Sequence, residues 1–274
     1  MIWLGLAAFA CGELTPGERV LGDEVRAKAF EGAEGFGASV AVDGTRLSVA
    51  NSLQSGSWAD GLESLDHGRA RRVGEVDGLH WAWLENDTVI DLLDGAVLER
   101  VDGATAVDVC PDGTVLWVDE GGEAVACGPL GSIWTECDGG ACTVNRDEGA
   151  IATVSPGGAL AWVQEQACWG DPMLEAEEAK GAVRCEDGTE LLGMKGDHLG
   201  LSIGGGRAAG RFNRHIVPPR LRIQDLNGGE VWLVDRAAEN SRVSLDGAAG
   251  VVAVGVARFR EGPTTGRVFV VEQP

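Results

Sequence analysis

Two stretches of this chain align without a gap, 45 residues apart: Val107-Asp108-Val109-Cys110-Pro111-Asp112-Gly113-Thr114-Val115-Leu116-Trp117-Val118-Asp119-Glu120 and Ala152-Thr153-Val154-Ser155-Pro156-Gly157-Gly158-Ala159-Leu160-Ala161-Trp162-Val163-Gln164-Glu165. Each copy has an alternating apolar run, a Pro-x-Gly turn, and a second apolar run ending in Trp-Val. Alternation is the pattern of a strand with one buried face. Proline presets φ at a turn and glycine accepts the positive φ that follows, so the punctuation has a mechanism. The repeated unit reads as a β-hairpin.

Looser copies surround Gly44, Gly78, Gly206 and Gly247, and with Gly113 and Gly158 the turn glycines recur every 34 to 48 residues. A blade of four short strands takes about 40–45 residues. The expected fold is therefore all-β, a propeller of about six blades. A seventh is allowed if Leu53–Arg72 or Leu174–Leu192 hides one. No long segment of helical period supports a helical solenoid, and no G-x-y period supports collagen despite 42 glycines. The side chains for a core are present, with 44% hydrophobic residues and nine Trp.

Charge narrows the partners. The chain carries 22 Lys+Arg against 43 Asp+Glu, a net −21. Phosphate contact needs clustered cations, so no nucleic-acid partner is expected. The excess negative charge favours a soluble, monomeric body held away from anionic headgroups.

Met1–Ala10 is apolar and Cys11 follows it. Ten residues are too few for a helix crossing a bilayer, which takes about 20, so the segment reads as an export signal. Six further cysteines remain: Cys110, Cys127, Cys137, Cys142, Cys168 and Cys185. An even number in an exported chain implies disulfides. Six cysteines allow about 15 pairings and sequence alone leaves them open. Chain proximity singles out Cys110–Cys127 about a hairpin, Cys137–Cys142 about a tight turn, and Cys168–Cys185 bracketing a helical excursion. There is no C-x-x-C and no nearby His, so no metal site is expected.

The string Ala8-Phe9-Ala10-Cys11 resembles the lipobox of bacterial lipoproteins. That resemblance implies a signal peptide at 1–10, lipidation of Cys11, a polar tether over 11–24, and anchorage of a single propeller domain, 25–274, to the outer membrane. Gly35-Phe36-Gly37-Ala38-Ser39-Val40-Ala41-Val42 resembles the start of an FG-GAP repeat of integrin α-chain propellers. Val251–Ala257 followed by Gly266–Val271 is similar to another copy. The Pro-Asp-Gly and Pro-Gly-Gly turns are similar to those of TolB-like and WD-type propellers. One copy at each end implies ring closure by N- and C-terminal strands in one sheet, which hides the edges. The resemblance implies protein or glycan contact through loops at one face. FG-GAP loops often hold calcium, but Asp43-Gly44-Thr45 and Asp246-Gly247-Ala248 are clipped to one carboxylate each, and Asp225-x-Asn227-Gly228-Gly229-Glu230 lacks a third oxygen donor in place. Neither structural calcium nor any other cofactor is expected.

Asp171-Pro172-Met173-Leu174-Glu175-Ala176-Glu177-Glu178-Ala179-Lys180-Gly181 carries helix signals: an Asp cap, Pro at the first helical position, early acids and a closing Gly. It predicts a short helical insertion. The four His are His67, His80, His198 and His215, and no H-E-x-x-H, G-x-S-x-G or P-loop organises them. No catalytic residue is assigned. Trp117, Trp162 and Trp232 are expected in the core between blades. Trp58 and Trp169, flanked by loop residues, are candidates for ligand contact. Arg211, Arg214 and His215, in the Arg-rich run 207–222, are candidates for an anionic patch.

The reading is a lipid-anchored binding module for an envelope protein or glycan. A hydrolase or lyase for a polysaccharide or lactone, with His and carboxylates converging at the axis, is the alternative; a structural envelope component is a third.

Overall fold

In the computed structural model the described residues are 18–22, 25–176, 179–192, 201–212, 220–227, 229–234, 241–258 and 266–273. The predicted signal segment and Cys11 lie outside them.

Among the described residues every element is a strand. Two short ones lead, β1 (Glu18–Val20) and β2 (Lys28–Gly32). The next sheet orders β3 (Val40–Val42), β4 (Arg46–Val49), β5 (Asn51–Ser57), β6 (Glu63–Val76), β7 (Leu79–Leu84), β8 (Thr88–Asp91) and β9 (Val97–Arg100) consecutively. A pair follows, β10 (Ala106–Val109) with β11 (Val115–Val118). Then come two four-stranded sheets: β12 (Gly122–Gly128), β13 (Gly131–Asp138), β14 (Ala141–Arg146) and β15 (Gly149–Val154); β16 (Ala159–Val163), β17 (Gln166–Ala176), β18 (Ala179–Cys185) and β19 (Glu190–Leu192). The last two sheets are built on β20 (Leu201–Gly204), β21 (Arg207–Phe212), β22 (Arg220–Asp225) and β23 (Val231–Val234), and on β24 (Ser241–Ala248), β25 (Val251–Arg258) and β26 (Gly266–Glu272).

Among the described residues the inner strands β3, β6, β10, β12, β16, β20 and β24 pack one against the next, and β24 returns to β3. That circle of radial sheets is a β-propeller with seven inner strands. One strand serves two blades: β6 pairs with β5 through Glu63–Ala70 and with β7 through Ala70–Val76. It is the outer edge of the first blade and the inner strand of the second. The ring closes as expected. β2 adds antiparallel to β26, Lys28 opposite Val270, so an N-terminal strand completes the C-terminal sheet. β1 also pairs parallel with β23, and Leu21 is buried beyond it. The tether expected over 11–24 therefore gives way from Glu18 onward to chain packed on the propeller, because Leu21 and Val25 bury apolar surface with Trp232 and Phe269.

Three sequence expectations are corrected. The Pro111-Asp112-Gly113 turn joins the hairpin β10–β11, but Pro156-Gly157-Gly158 connects β15 to β16, which belong to different sheets. The aligned copies are thus a hairpin and an inter-blade link. The blade this hides is β12–β15, outside both thin regions, and its first turn runs Gly128 to Gly131 without Pro-x-Gly. Finally, the helix predicted over 171–181 is a β-hairpin, β17 with β18. Cross-strand pairing from Cys168↔Cys185 to Asp171↔Ala182 carries the ladder outward, and it resumes at Glu175↔Lys180 after a register shift. Pro172, which has no N–H to donate, sits in that irregularity, where a strand tolerates it.

The disulfides are Cys110–Cys127, Cys137–Cys142 and Cys168–Cys185. The last two join cross-strand partners within one sheet. Cys110–Cys127 does not close a hairpin as expected: it ties the end of β10 to β12 of the next blade. Three disulfides mark a chain that folds in an oxidising, exported environment.

Arginines stack on tryptophans around the ring: Arg71 over Trp83 at 4.9 Å, Arg72 over Trp81 at 5.6 Å, Arg146 over Trp162 at 5.2 Å and Arg207 over Trp232 at 3.7 Å. Trp232 is fully buried and its Nε1–H donates to Glu230 at 2.8 Å. Arg207 also faces Asp225 at 3.4 Å. Trp162 reaches across to the neighbouring inner strand, where a Cβ on Gly128 would lie 2.1 Å from its ring. The backbone there leaves room for hydrogen only. Gly128→Val should cost about 1–3 kcal/mol through overpacking; a thermal melt followed by circular dichroism would show the lowered midpoint.

Candidate functional site

Three places concentrate polar chemistry. The first is the axis. A cavity of about 540 Å³ is lined by all seven inner strands, with Arg72, Glu75, Asp108, Glu123 and Asp246 among its polar residues. Most of these groups hold blades together. Asp108 Oδ2 accepts the Cys127 N–H at 2.7 Å, and Asp246 Oδ2 accepts the Val42 N–H at 2.7 Å. Ser202 Oγ accepts the Leu245 N–H at 3.1 Å, and Ser39 Oγ accepts from Val73 at 3.1 Å while donating to its carbonyl at 3.0 Å. Arg72 donates to Val107 O at 2.6 Å and faces Asp108 at 3.7 Å. In each case a side chain on one inner strand engages the backbone of the next.

Burial sets the acidity of this ring. It pushes the Asp108 carboxyl up, against Arg72 and the N–H groups of Cys127 and Val109. It raises Asp246 to about 7, with the Val42 and Gly247 N–H groups opposing and the Glu75 charge adding to the rise. Glu75 is itself raised by burial, although the Gly78 N–H donates to it. No histidine is among the residues lining this cavity.

The second place resembles a catalytic triad in composition. His80 Nε2 lies 3.1 Å from Asp43 Oδ2, His80 Nδ1 lies 2.9 Å from Ser48 Oγ, and Ser48 Oγ lies 2.9 Å from Ser55 Oγ. Burial lowers the imidazole pKa, with Asp43 pulling the other way. The Asp43 carboxyl feels burial too, but the N–H groups of Arg46 and Thr45 and the His80 ring hold it below its ordinary value. A neutral His80 beside a carboxylate must place its proton on Nε2, so Nδ1 accepts from Ser48. Ser48 and His80 are 0% and 2% exposed, so no substrate reaches the hydroxyl. The chain of bonds links β4, β5 and β7 inside the core, where His80 is a packed histidine.

The third place is a groove of about 790 Å³ on the flank of the short blade. β10–β11 has two strands where the next blade has four, so β13 and β14 are left uncovered on that side. The wall is Leu116, Trp117 and Val118 of β11; the floor includes Ser132, Trp134 and Thr143. Trp117 is 38% exposed, contrary to the core position expected for it, because the strands that would cover it are missing from its blade among the described residues. Trp134 is half-buried, its Nε1–H 3.3 Å from Glu136 Oε1. Asp119, Glu120, Glu136, Asp138 and Asp147 rim the groove, and neither Lys nor Arg lines it. The neighbouring Glu123, Cys137 and Cys142 come within 4.8 Å, but both cysteines are spent in a disulfide and leave no metal ligand set.

The residues nominated from sequence are scattered. Trp58 is half-buried against the Phe36–Val42 cluster and donates to Gly44 O at 3.2 Å. Trp169 is half-buried on β17 opposite Leu160 and Arg184. Neither lines the groove or the axial cavity. Arg211 stands on β21 opposite Leu221, and Arg214 and His215 lie outside the described residues.

No family model matches the chain, and no curated protein matches it. Solved structures do. A puromycin hydrolase structure aligns with a TM-score of 0.51 at 11% identity, over 85% of this chain and 51% of that one. TolB from Acinetobacter baumannii aligns at 0.43 and 12%, over 84% and 64% of the two chains. The propeller domain of the Trilobed protease from Pyrococcus furiosus aligns at 0.42 and 12%, over 90% and 84%. This chain thus spans about half of the hydrolase and under two thirds of the TolB chain. Identities this low speak for the fold alone, and the sheet order with its closed ring of inner strands makes that fold a β-propeller.

Proposed function

We propose that this protein is an exported, non-catalytic binding module, held at the outer membrane by a lipid on Cys11, that takes a partner protein in the groove beside its short blade. The groove carries this reading: two tryptophans, an uncovered strand and five carboxylates line one cavity. Aromatic anchors in a partly desolvated groove are where binding energy concentrates. The FG-GAP-like segments at 35–42, 251–257 and 266–271 support a recognition role. Against catalysis stand the engaged axial carboxylates and the buried Ser48–His80–Asp43 chain.

Photo-crosslinking tests the binding site. A crosslinker at Ser132 should capture an envelope protein, and Trp117→Ala with Trp134→Ala should reduce capture at least tenfold while leaving the melting curve in place. Capture unchanged by the double variant would overturn the reading. For the anchor, Cys11→Ser should abolish partition into detergent and labelling by radioactive palmitate.

A further inference from the structure

We infer that β11 accepts an extended, cationic segment of the partner protein as an added strand, extending the two-stranded blade into the groove. The inference rests on the binding reading above and names the partner's chemistry.

The backbone itself supports strand addition. The Cys110 N–H donates to Thr114 O at 2.8 Å, and the ladder pairs Val109 with Val115, Asp108 with Leu116 and Val107 with Trp117. Because antiparallel pairing alternates, Leu116 turns its N–H and C=O toward β10, whereas Val115 and Trp117 turn theirs to the other side. Among the described residues no strand pairs with that side. Two donors and two acceptors therefore face the groove over a strand about 13 Å long.

The edge of β11 is itself unprotected. Outer strands protect themselves with charge, proline or bulges. β9 carries Glu99 and Arg100 on its edge, but β11 is Val-Leu-Trp-Val with neither a charge nor a proline inside it. An apolar edge of this kind is a template for pairing, and addition of a peptide strand to such an edge is a known mode of recognition.

The groove is acidic as well. Five carboxylates and no cation surround the space the new strand would fill. Lys or Arg on alternate residues of that strand would meet the rim. A second copy of this chain fits badly, since each molecule carries −21 and the facing rims repel.

The test uses the full chain and three synthetic probes: an alternating Lys-Val decapeptide, its Glu-Val counterpart, and the Lys-Val peptide N-methylated on alternate residues in each of the two registers. Binding is followed by calorimetry at low and at physiological salt. The Lys-Val peptide should bind, the Glu-Val peptide should bind at least tenfold more weakly, and one N-methylated register should lose at least tenfold while the other does not. Glu136→Lys with Asp147→Lys, both exposed, should weaken the Lys-Val peptide at least tenfold with an unchanged melting curve. Equal binding of both methylated registers would show attraction by charge alone and overturn strand addition. So would binding indifferent to the double charge reversal, no binding at millimolar peptide, or a Trp117-dependent dimer in sedimentation. If crosslinked capture still depends on Trp117 and Trp134 when the peptides fail, the binding reading stands and only the strand-addition inference falls.

Discussion

A chain lacking residues 1–32 is expected to lose its cooperative thermal transition. β2 supplies the fourth strand of the last sheet, and its Phe30 packs against the cluster holding Val40, Val268 and Val270. Leu21 and Val25 contribute to a second cluster with Trp232, Val254 and Phe269. Deleting one buried leucine typically costs about 2–5 kcal/mol. Losing three apolar residues and a five-residue ladder together approaches the whole stability of a domain, about 5–15 kcal/mol. The uncovered β26 would also become an edge open to aggregation. Circular dichroism and light scattering during a melt would read both effects. A truncated chain melting within a few degrees of the full one would mean that closure contributes little.

The second large effect is a pH dependence centred on one carboxyl. Asp246 titrates near 7 in the folded protein against an ordinary value of 3.8. The native state then binds this proton more tightly than the unfolded chain does. Protonation stabilises the fold: the contribution is complete below about pH 4 and is lost as pH rises through about 7, up to about 4 kcal/mol in all. Asp246→Asn keeps an oxygen to accept the Val42 N–H but has no proton to lose. Urea unfolding at several pH values should therefore show the variant gaining on the parent as pH rises from 4 to 8. A constant difference across that range would mean that the carboxyl is not destabilised by its site. The buried His80 pulls the other way, since a neutral ring favoured by the fold makes stability fall below about pH 6.5. Comparing parent with variant at each pH removes that contribution.

Much of the architecture was legible from residue order because strand alternation and turn chemistry are local. Asp43-Gly44, Asp77-Gly78, Asp112-Gly113 and Gly205-Gly206 each lie at the first turn of a blade. Where local signals are ambiguous, the tertiary pairing decides. Pro156-Gly157-Gly158 has the chemistry of a hairpin turn but joins two sheets, and the loop at Leu130 turns a hairpin with weaker punctuation. Asp171-Pro172 followed by acids is a sound helix start, yet the cross-strand pairing of Cys168 with Cys185 commits the flanks to a ladder. The site was harder still. Trp117 and Trp162 are equivalent in sequence, but Trp117 falls on the second strand of a two-stranded blade and is exposed, whereas Trp162 falls on an inner strand and packs on Gly128. One signal was available: a single small polar residue inside an apolar inner strand, as in Asp108, Ser202 and Asp246, marks a bond to the neighbouring blade.

The strand Glu63–Val76 has a consequence for how such a chain can be rearranged. Because one segment is shared by two blades of a single continuous sheet, the first two blades cannot be copied, deleted or exchanged one at a time. Any duplication or shuffling event there must move them as a pair. The peptide between Val154 and Ala159, which crosses from one sheet to another without sharing a strand, is the natural place to cut and rejoin the circle with new ends.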